Sequence, residues 1–152
     1  MAPPSMIMTD HIFLGIDYGD RRSGLAISDA SAMIASGFKT IQAGSASAAA
    51  RSIVSEFAEL APVGIVVGYP LAPDGGEKGE RCRAVDRFIR ELKKLTDLPI
   101  YHQDERDTSS EAQDIVHAHG KPVGRKRTKG GVIDRIAAAI ILQRWLDERG
   151  VN

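Results

Sequence analysis

Acidic residues stand at three separated places in this chain, each where an apolar run ends or begins. Asp17 closes the run Ile12–Asp17, Asp104 and Glu105 follow the run Pro99–Gln103 in the stretch QDERDTSSEAQ, and Asp134 opens the apolar segment Ile133–Arg149. Carboxylates brought together repel one another unless a cation neutralises them. Oxygen donors with no His or Cys cluster beside them suit Mg2+ or Mn2+. Two such ions roughly 4 Å apart can hold a phosphodiester, activate water and stabilise the leaving oxygen. Asp17, Asp104, Glu105 and Asp134 are therefore the candidate catalytic residues.

Each acid also has a plainer use. An Asp at a strand end, such as Asp17, forms turns by bonding its own backbone. An Asp near a helix start, such as Asp134, caps the helix or complements its dipole. Side chains alternate along a strand, so a regular strand cannot turn both Asp104 and Glu105 to one site. The other is then a bystander, paired for instance with Arg106. Joint placement favours the metal reading, because sites in α/β sheets gather at the carboxyl ends of strands.

An anionic substrate needs cations. Lys121, Arg125, Lys126, Arg127 and Lys129 crowd one Gly-flanked segment, Gly120–Gly131, that contains no acid. Such crowding repels unless an anion relieves it, so this segment is the expected phosphate grip, with salt-sensitive binding. It contains no Phe, Tyr or Trp and thus offers no stacking platform. Arg21 and Arg22, adjacent to Asp17 in sequence, reach a scissile phosphate or project into water, and Arg22 and Arg106 join the basic segment as candidate substrate contacts. Arg83, Arg87, Arg90 and Lys94 follow helical spacing, moderated by Asp86 and Glu91, and read as a solvated face. The stretch APDGGEKG is Gly-rich but lacks P-loop spacing; it reads as a contact loop at the active edge of the sheet.

The elements that must position these residues follow from periodicity. Ile12–Asp17 is apolar on both faces apart from Asp17, as in a central strand. Gly19 and Gly24 bracket a tight turn, Leu25–Ser28 returns as a hairpin strand, and Phe38–Ile41 makes a third. The period then changes. Ser47–Leu60 carries Ile53, Phe57 and Leu60 at helical spacing, and Pro62 stops it. Val63–Val67 is a buried strand, Glu80–Leu95 a helix with Cys82, Val85, Ile89 and Leu92 as its core stripe, and Pro99–Gln103 a further strand. Thr108 and Glu111 have the form of a capping box opening a helix that ends at Gly120. Ile133–Arg149 is the closing helix, with Ile133, Ile136, Ala137 and Ile140 on its core face. Strand–helix–strand units require right-handed crossovers and parallel pairing. The predicted class is α/β: a mixed five-stranded sheet, strands 1–3 an antiparallel meander and strands 4–5 parallel, with helices on both faces.

The 152 residues fit one domain at about 100–200 residues per domain, expected as a flexible tail over 1–11 and a single domain over 12–150. The 20 basic and 20 acidic residues balance, so bulk charge argues neither for nor against nucleic acid. The single cysteine, Cys82, excludes an intrachain disulfide and a Cys-based zinc site, and its place on a core stripe predicts an inert packed thiol. His117 and His119 are two apart and so lie on different sides of a helix. No window approaches the about 18 apolar residues of a membrane helix. The N-terminus MAPPSMIMTDH lacks the parts of a signal peptide. The expectation is a cytoplasmic protein without membrane association, a monomer or weak homodimer.

Four blocks in order carry a resemblance: GIDYGDRRSGLAISD, IVVGYPL with its Gly-rich sequel, DER before a hydroxyl-rich helix start, and IDRIAAAIILQRWL. The chain resembles the YqgF/RuvX family, Holliday-junction-resolvase-like nucleases linked to trimming the 5′ end of the small-subunit ribosomal RNA precursor. The resemblance implies an RNase H-like fold, a Mg2+ or Mn2+ site held by Asp17, Glu105 and Asp134, and nucleic acid, free or within a pre-ribosomal particle, as partner. It favours Glu105 over Asp104 as the ligand. The sequence departs from the family at Asp107, where an apolar residue is usual, and at Tyr69, where an aliphatic one precedes Pro70. It also lacks the acid that a true resolvase keeps at the strand end before GYPL. Three rivals remain: a junction-resolving DNA nuclease, a non-catalytic RNA-binding assembly factor gripping through Lys121–Lys129, and an actin- or sugar-kinase-like ATP-binding protein, whose first phosphate loop GIDYG resembles.

Overall fold

The computed structural model describes residues 11–70, 79–105, 108–118 and 131–150. Five strands, β1 (Phe13–Asp17), β2 (Arg22–Ser28), β3 (Ala35–Gln42), β4 (Gly64–Tyr69) and β5 (Ile100–Asp104), form one sheet in the order β3-β2-β1-β4-β5. The first three pair antiparallel, and β4 and β5 add in parallel to β1. Among the described residues four α-helices accompany them: α1 (Ala46–Phe57), α2 (Glu80–Lys93), α3 (Thr108–Ala118) and α4 (Gly131–Gly150). This is the mixed sheet that the sequence predicts. The expected tail lies outside the described residues, apart from His11.

Central position explains the strand sequences. β4 reads GIVVGY and is buried from Gly64 to Gly68, because a strand covered by helices on both faces has no polar side to present. On one face Leu14, Ile16, Leu25, Ile65 and Val67 meet Ile53 and Phe57 of α1 and Val85, Phe88 and Leu92 of α2. There Tyr18 stacks on Phe88 with ring centroids 4.4 Å apart. On the other face Phe13, Ala26 and Val66 meet Ala138, Ile141, Leu142, Trp145 and Leu146 of α4. Trp145 fills the space between Phe13 and Tyr101, at 4.8 and 4.7 Å. α3 packs outside α4.

Several boundaries move. β2 begins at Arg22 and β3 at Ala35, earlier than their apolar runs, because ladder bonds continue through the small and polar residues of a hairpin. α1 is capped by Ser45, whose hydroxyl accepts from Ala48 N at 3.1 Å, and gives way to a 3-10 turn over Ala58–Leu60 with Ala61 left-handed at φ 49 before Pro62. The capping box at Thr108 takes another form. The Thr108 hydroxyl donates to the Glu105 carbonyl at 2.9 Å, and Glu111 pairs with Arg144 at 2.9 Å. The core face of α4 is rotated from the predicted one: Ala137 is buried, but its companions are Ala138, Ile141, Leu142 and Trp145, while Ile133, Ile136 and Ile140 are only half-buried. This helix is apolar on nearly every side, so its sequence offers more than one plausible stripe.

Candidate active site

Asp17 is the last residue of β1 and pairs across the antiparallel ladder with Gly24. Phe13, Gly15 and Asp17 occupy alternate positions, and the first two lie against α4: Phe13 in its apolar cluster, and Gly15 where an added Cβ would stand 2.7 Å from Leu142 Cβ. Asp17 therefore projects on the α4 side. The first turn of α4 comes down there so closely that a Cβ on Gly24 would collide with the Asp134 carbonyl. The missing side chain of Gly24 thus brings Asp134 over the strand pair that carries Asp17.

Glu105 arrives from the opposite direction. β5 pairs Gly68 with Gln103 and Tyr69 with Asp104, and Glu105 N continues the ladder by donating to Tyr69 O at 3.2 Å. Tyr101 packs with the α4 cluster, whereas Ile100 packs with the opposite one. Alternation then carries Glu105 to the side of Asp17 and Asp104 to the other. Contacts agree: a Cβ on Gly68 would lie 2.9 Å from Glu105 Oε1 and 2.5 Å from Ile141 Cδ1 of α4. Asp104, offered by the sequence as a catalytic candidate, falls by this alternation on the opposite face of β5. Its backbone carbonyl accepts from Arg144 at 3.4 Å.

Two arginines hold the three acids. Arg22 Nε donates to Asp134 Oδ2 at 3.0 Å. Arg81, in the first turn of α2, donates from Nε to Glu105 Oε2 at 3.2 Å and from Nη2 to Oε1 at 3.4 Å, with Nη2 also 3.7 Å from Asp17 Oδ1. Burial pushes the Asp17 carboxyl up to about 7; Glu105 pushes the same way, Arg81 opposes, and Asp134 adds to the rise. Burial also raises Asp134, opposed by the hydrogen bond and charge of Arg22. Asp17 and Glu105 side chains are only 14% and 13% exposed, so their charges interact in a poorly solvated place. The donor set, carboxylate oxygen throughout, is that of a hard divalent cation. Among the described residues, no three His, Cys, Asp or Glu side chains stand together at ligating spacing.

Of the predicted substrate contacts, Arg22 is at the site, half-exposed beside Asp134. Arg106, Lys121, Arg125, Lys126, Arg127 and Lys129 lie outside the described residues. The exposed positions of Arg83, Arg87, Arg90 and Lys94 agree with a solvated face. Arg81 carries no signal in the sequence beyond its place two residues before Arg83 in the same helix. Tyr69 packs: its hydroxyl donates to Asp86 at 2.9 Å and its ring stacks on His102 at 4.9 Å. Cys82 is buried, and its thiol donates a hydrogen bond to Pro70 O at 2.9 Å.

The sheet order, antiparallel then parallel, with helices on both faces is an RNase H-like fold. Two solved structures share it across most of their lengths. Thermus thermophilus RuvC in complex with a Holliday junction substrate matches with TM-score 0.52 and 14% identity over 93% of this chain and 96% of that one. The fowlpox virus resolvase with junction DNA matches with TM-score 0.55 and 15% identity over 93% and 99%. The sequence is closer to another group. Residues 11–148 match the family model RuvX, described as Holliday junction resolvase, and the chain belongs to that family. Relatives named "Putative pre-16S rRNA nuclease" include one from Syntrophus aciditrophicus, 38% identical over 88% of this chain and 87% of the relative. Another, from Chloroflexus aurantiacus, is 39% identical over 95% and 92%. A third, from Paramagnetospirillum magneticum, is 37% identical over 98% and 96%. No described helix is long and apolar enough to cross a membrane.

Proposed function

We propose that this protein is a divalent-metal-dependent nuclease that hydrolyses phosphodiester bonds at the 5′ end of the 16S ribosomal RNA precursor. The observation that carries the reading is the approach of Asp17, Glu105 and Asp134 from two strand ends and a helix start to one side of the sheet. These three residues would hold Mg2+ or Mn2+. Such an ion supplies Lewis-acid activation of water and stabilisation of the leaving oxygen. The chain's own residues do the rest. α4 fixes Asp134 over β2, the first residue of β2 supplies Arg22 to an anionic substrate, and the sheet and α4 limit water around Asp17. The basic segment with Lys121, Arg125, Lys126, Arg127 and Lys129, together with Arg106, grips the phosphate backbone. The active unit spans residues 12–150 and works in the cytoplasm, on the precursor alone or within a pre-ribosomal particle, as a monomer or weak homodimer.

The test is cleavage of precursor RNA, single-stranded DNA and four-way junctions with and without Mg2+ or Mn2+, comparing wild type with Asp17→Asn and Glu105→Gln. Metal-dependent cleavage of the RNA, lost in both variants, supports the reading; full cleavage by Asp17→Asn removes it. The family description and the likeness to junction-bound resolvases favour one second reading, a junction-resolving DNA nuclease, and cleavage confined to the junctions would select it.

A further inference from the structure

Arg81 touches both acids that the strands deliver to the site, and it comes from neither strand. Its Cα is fixed by α2, which is anchored through buried Ala84, Val85 and Phe88, so its side chain is the part free to move. The guanidinium forks onto Glu105 at 3.2 and 3.4 Å and reaches Asp17 at 3.7 Å. Strong charge-assisted pairs are shorter, about 2.7–2.9 Å, and Arg81 is 38% exposed. The bridge is therefore loose and borders water. One positive charge also undercompensates the two carboxylates it touches. A second positive charge in the same space would relieve what Arg81 leaves unrelieved.

We propose that Arg81 is a displaceable placeholder: it spans Asp17 and Glu105 in the metal-free protein, yields their oxygens to a divalent cation, and turns its freed guanidinium to a phosphate of the nucleic acid. This rests on the reading that Asp17 and Glu105 ligate the cation. A guanidinium and a divalent ion are like charges competing for the same two carboxylates, so binding of one favours release of the other. The planar fork that matches a carboxylate also matches a phosphate, so the displaced group has a partner as soon as substrate is present. Arg81 is then a positioning residue for the substrate and a competitor of the metal, which gives it two opposite mutational signatures.

The experiment measures Mn2+ binding to the protein without nucleic acid, by electron paramagnetic resonance of free Mn2+, for wild type, Arg81→Met and Arg81→Lys. Removing a nearby positive charge should tighten Mn2+ binding about tenfold in Arg81→Met, with Arg81→Lys, which keeps the charge without the fork, in between. In parallel, binding of a fluorescent single-stranded RNA in Ca2+ is measured against salt. Arg81→Met should weaken it and lower the magnitude of the salt slope by about one. Mn2+ binding to wild type with unchanged or weaker affinity in Arg81→Met overturns the placeholder and leaves the metal reading intact. No Mn2+ binding to any of the three proteins overturns both. Tighter Mn2+ binding with an unchanged salt slope overturns the transfer to phosphate. Circular dichroism melts monitor folding, and Arg81→Lys carries the comparison if the neutral variant does not fold.

Discussion

Asp17→Asn should make the metal-free protein more stable at alkaline pH. The carboxyl of Asp17 is raised from 3.8 in the unfolded chain to about 7 in the folded one, by burial first and then by Glu105, with Arg81 opposing. A raised acid binds its proton more tightly when folded. Between pH 3.8 and about 7 the folded state therefore holds more protons than the unfolded state, and stability falls as pH rises through that window. The shift is roughly three units at about 1.4 kcal/mol each, so ionised Asp17 destabilises the fold by ~4 kcal/mol at pH 8. Asn is nearly the same shape and stays neutral. It should unfold like wild type near pH 4 and be about 4 kcal/mol more stable at pH 8.

Urea denaturation at pH 4, 6 and 8 in EDTA reads this directly, provided the urea dependence is the same for both proteins. Saturating Mg2+ should then narrow or reverse the order at pH 8. An ion at a hundred times its dissociation constant stabilises the form that binds it by about 2.7 kcal/mol, and the Asn variant has lost a ligand. An Asn variant as stable as wild type, or less so, at pH 8 in EDTA would refute the reasoning, because the carboxylate would then not be under electrostatic stress at all.

Glu105→Gln should cut cleavage at least about a hundredfold, the scale of losing a metal-orienting group, whereas Asp104→Asn should leave the rate within about threefold; equal losses in single-turnover assays would mean that strand alternation does not separate the two acids. Gly24→Ala should cost about 3 kcal/mol, at the upper end of overpacking, since its Cβ meets the Asp134 carbonyl; an unchanged urea midpoint would show that α4 does not bear on β2. The Phe13 amide donates to buried Ser28 Oγ at 2.8 Å, so Ser28→Ala should cost about 1–3 kcal/mol, seen as a lower thermal midpoint and faster hydrogen exchange at that amide.

What the sequence reveals about this site divides along a physical line. The alternation rule showed that Asp104 and Glu105 face apart, yet it could not choose between them. The choice depends on register against β4, where Gly68 pairs with Gln103, and register is a property of two strands together. The apolar runs located every strand, but β2 and β3 extend through RSG and ASG, where pairing rather than hydrophobicity keeps the chain extended. The face of α4 was misplaced because Ile, Ala and Leu surround that helix; the residues that fix its rotation are the glycines beneath it, Gly15, Gly24 and Gly68, which belong to other elements. Arg81 was invisible for the same reason. In a helix that also carries Arg83, Arg87 and Arg90, nothing local distinguishes the arginine that meets acids from those that meet water. The acids could be read because burying a charge in an apolar run is costly wherever it occurs. Their counter-charges could not, because an arginine near a helix start costs nothing until the fold brings carboxylates to it.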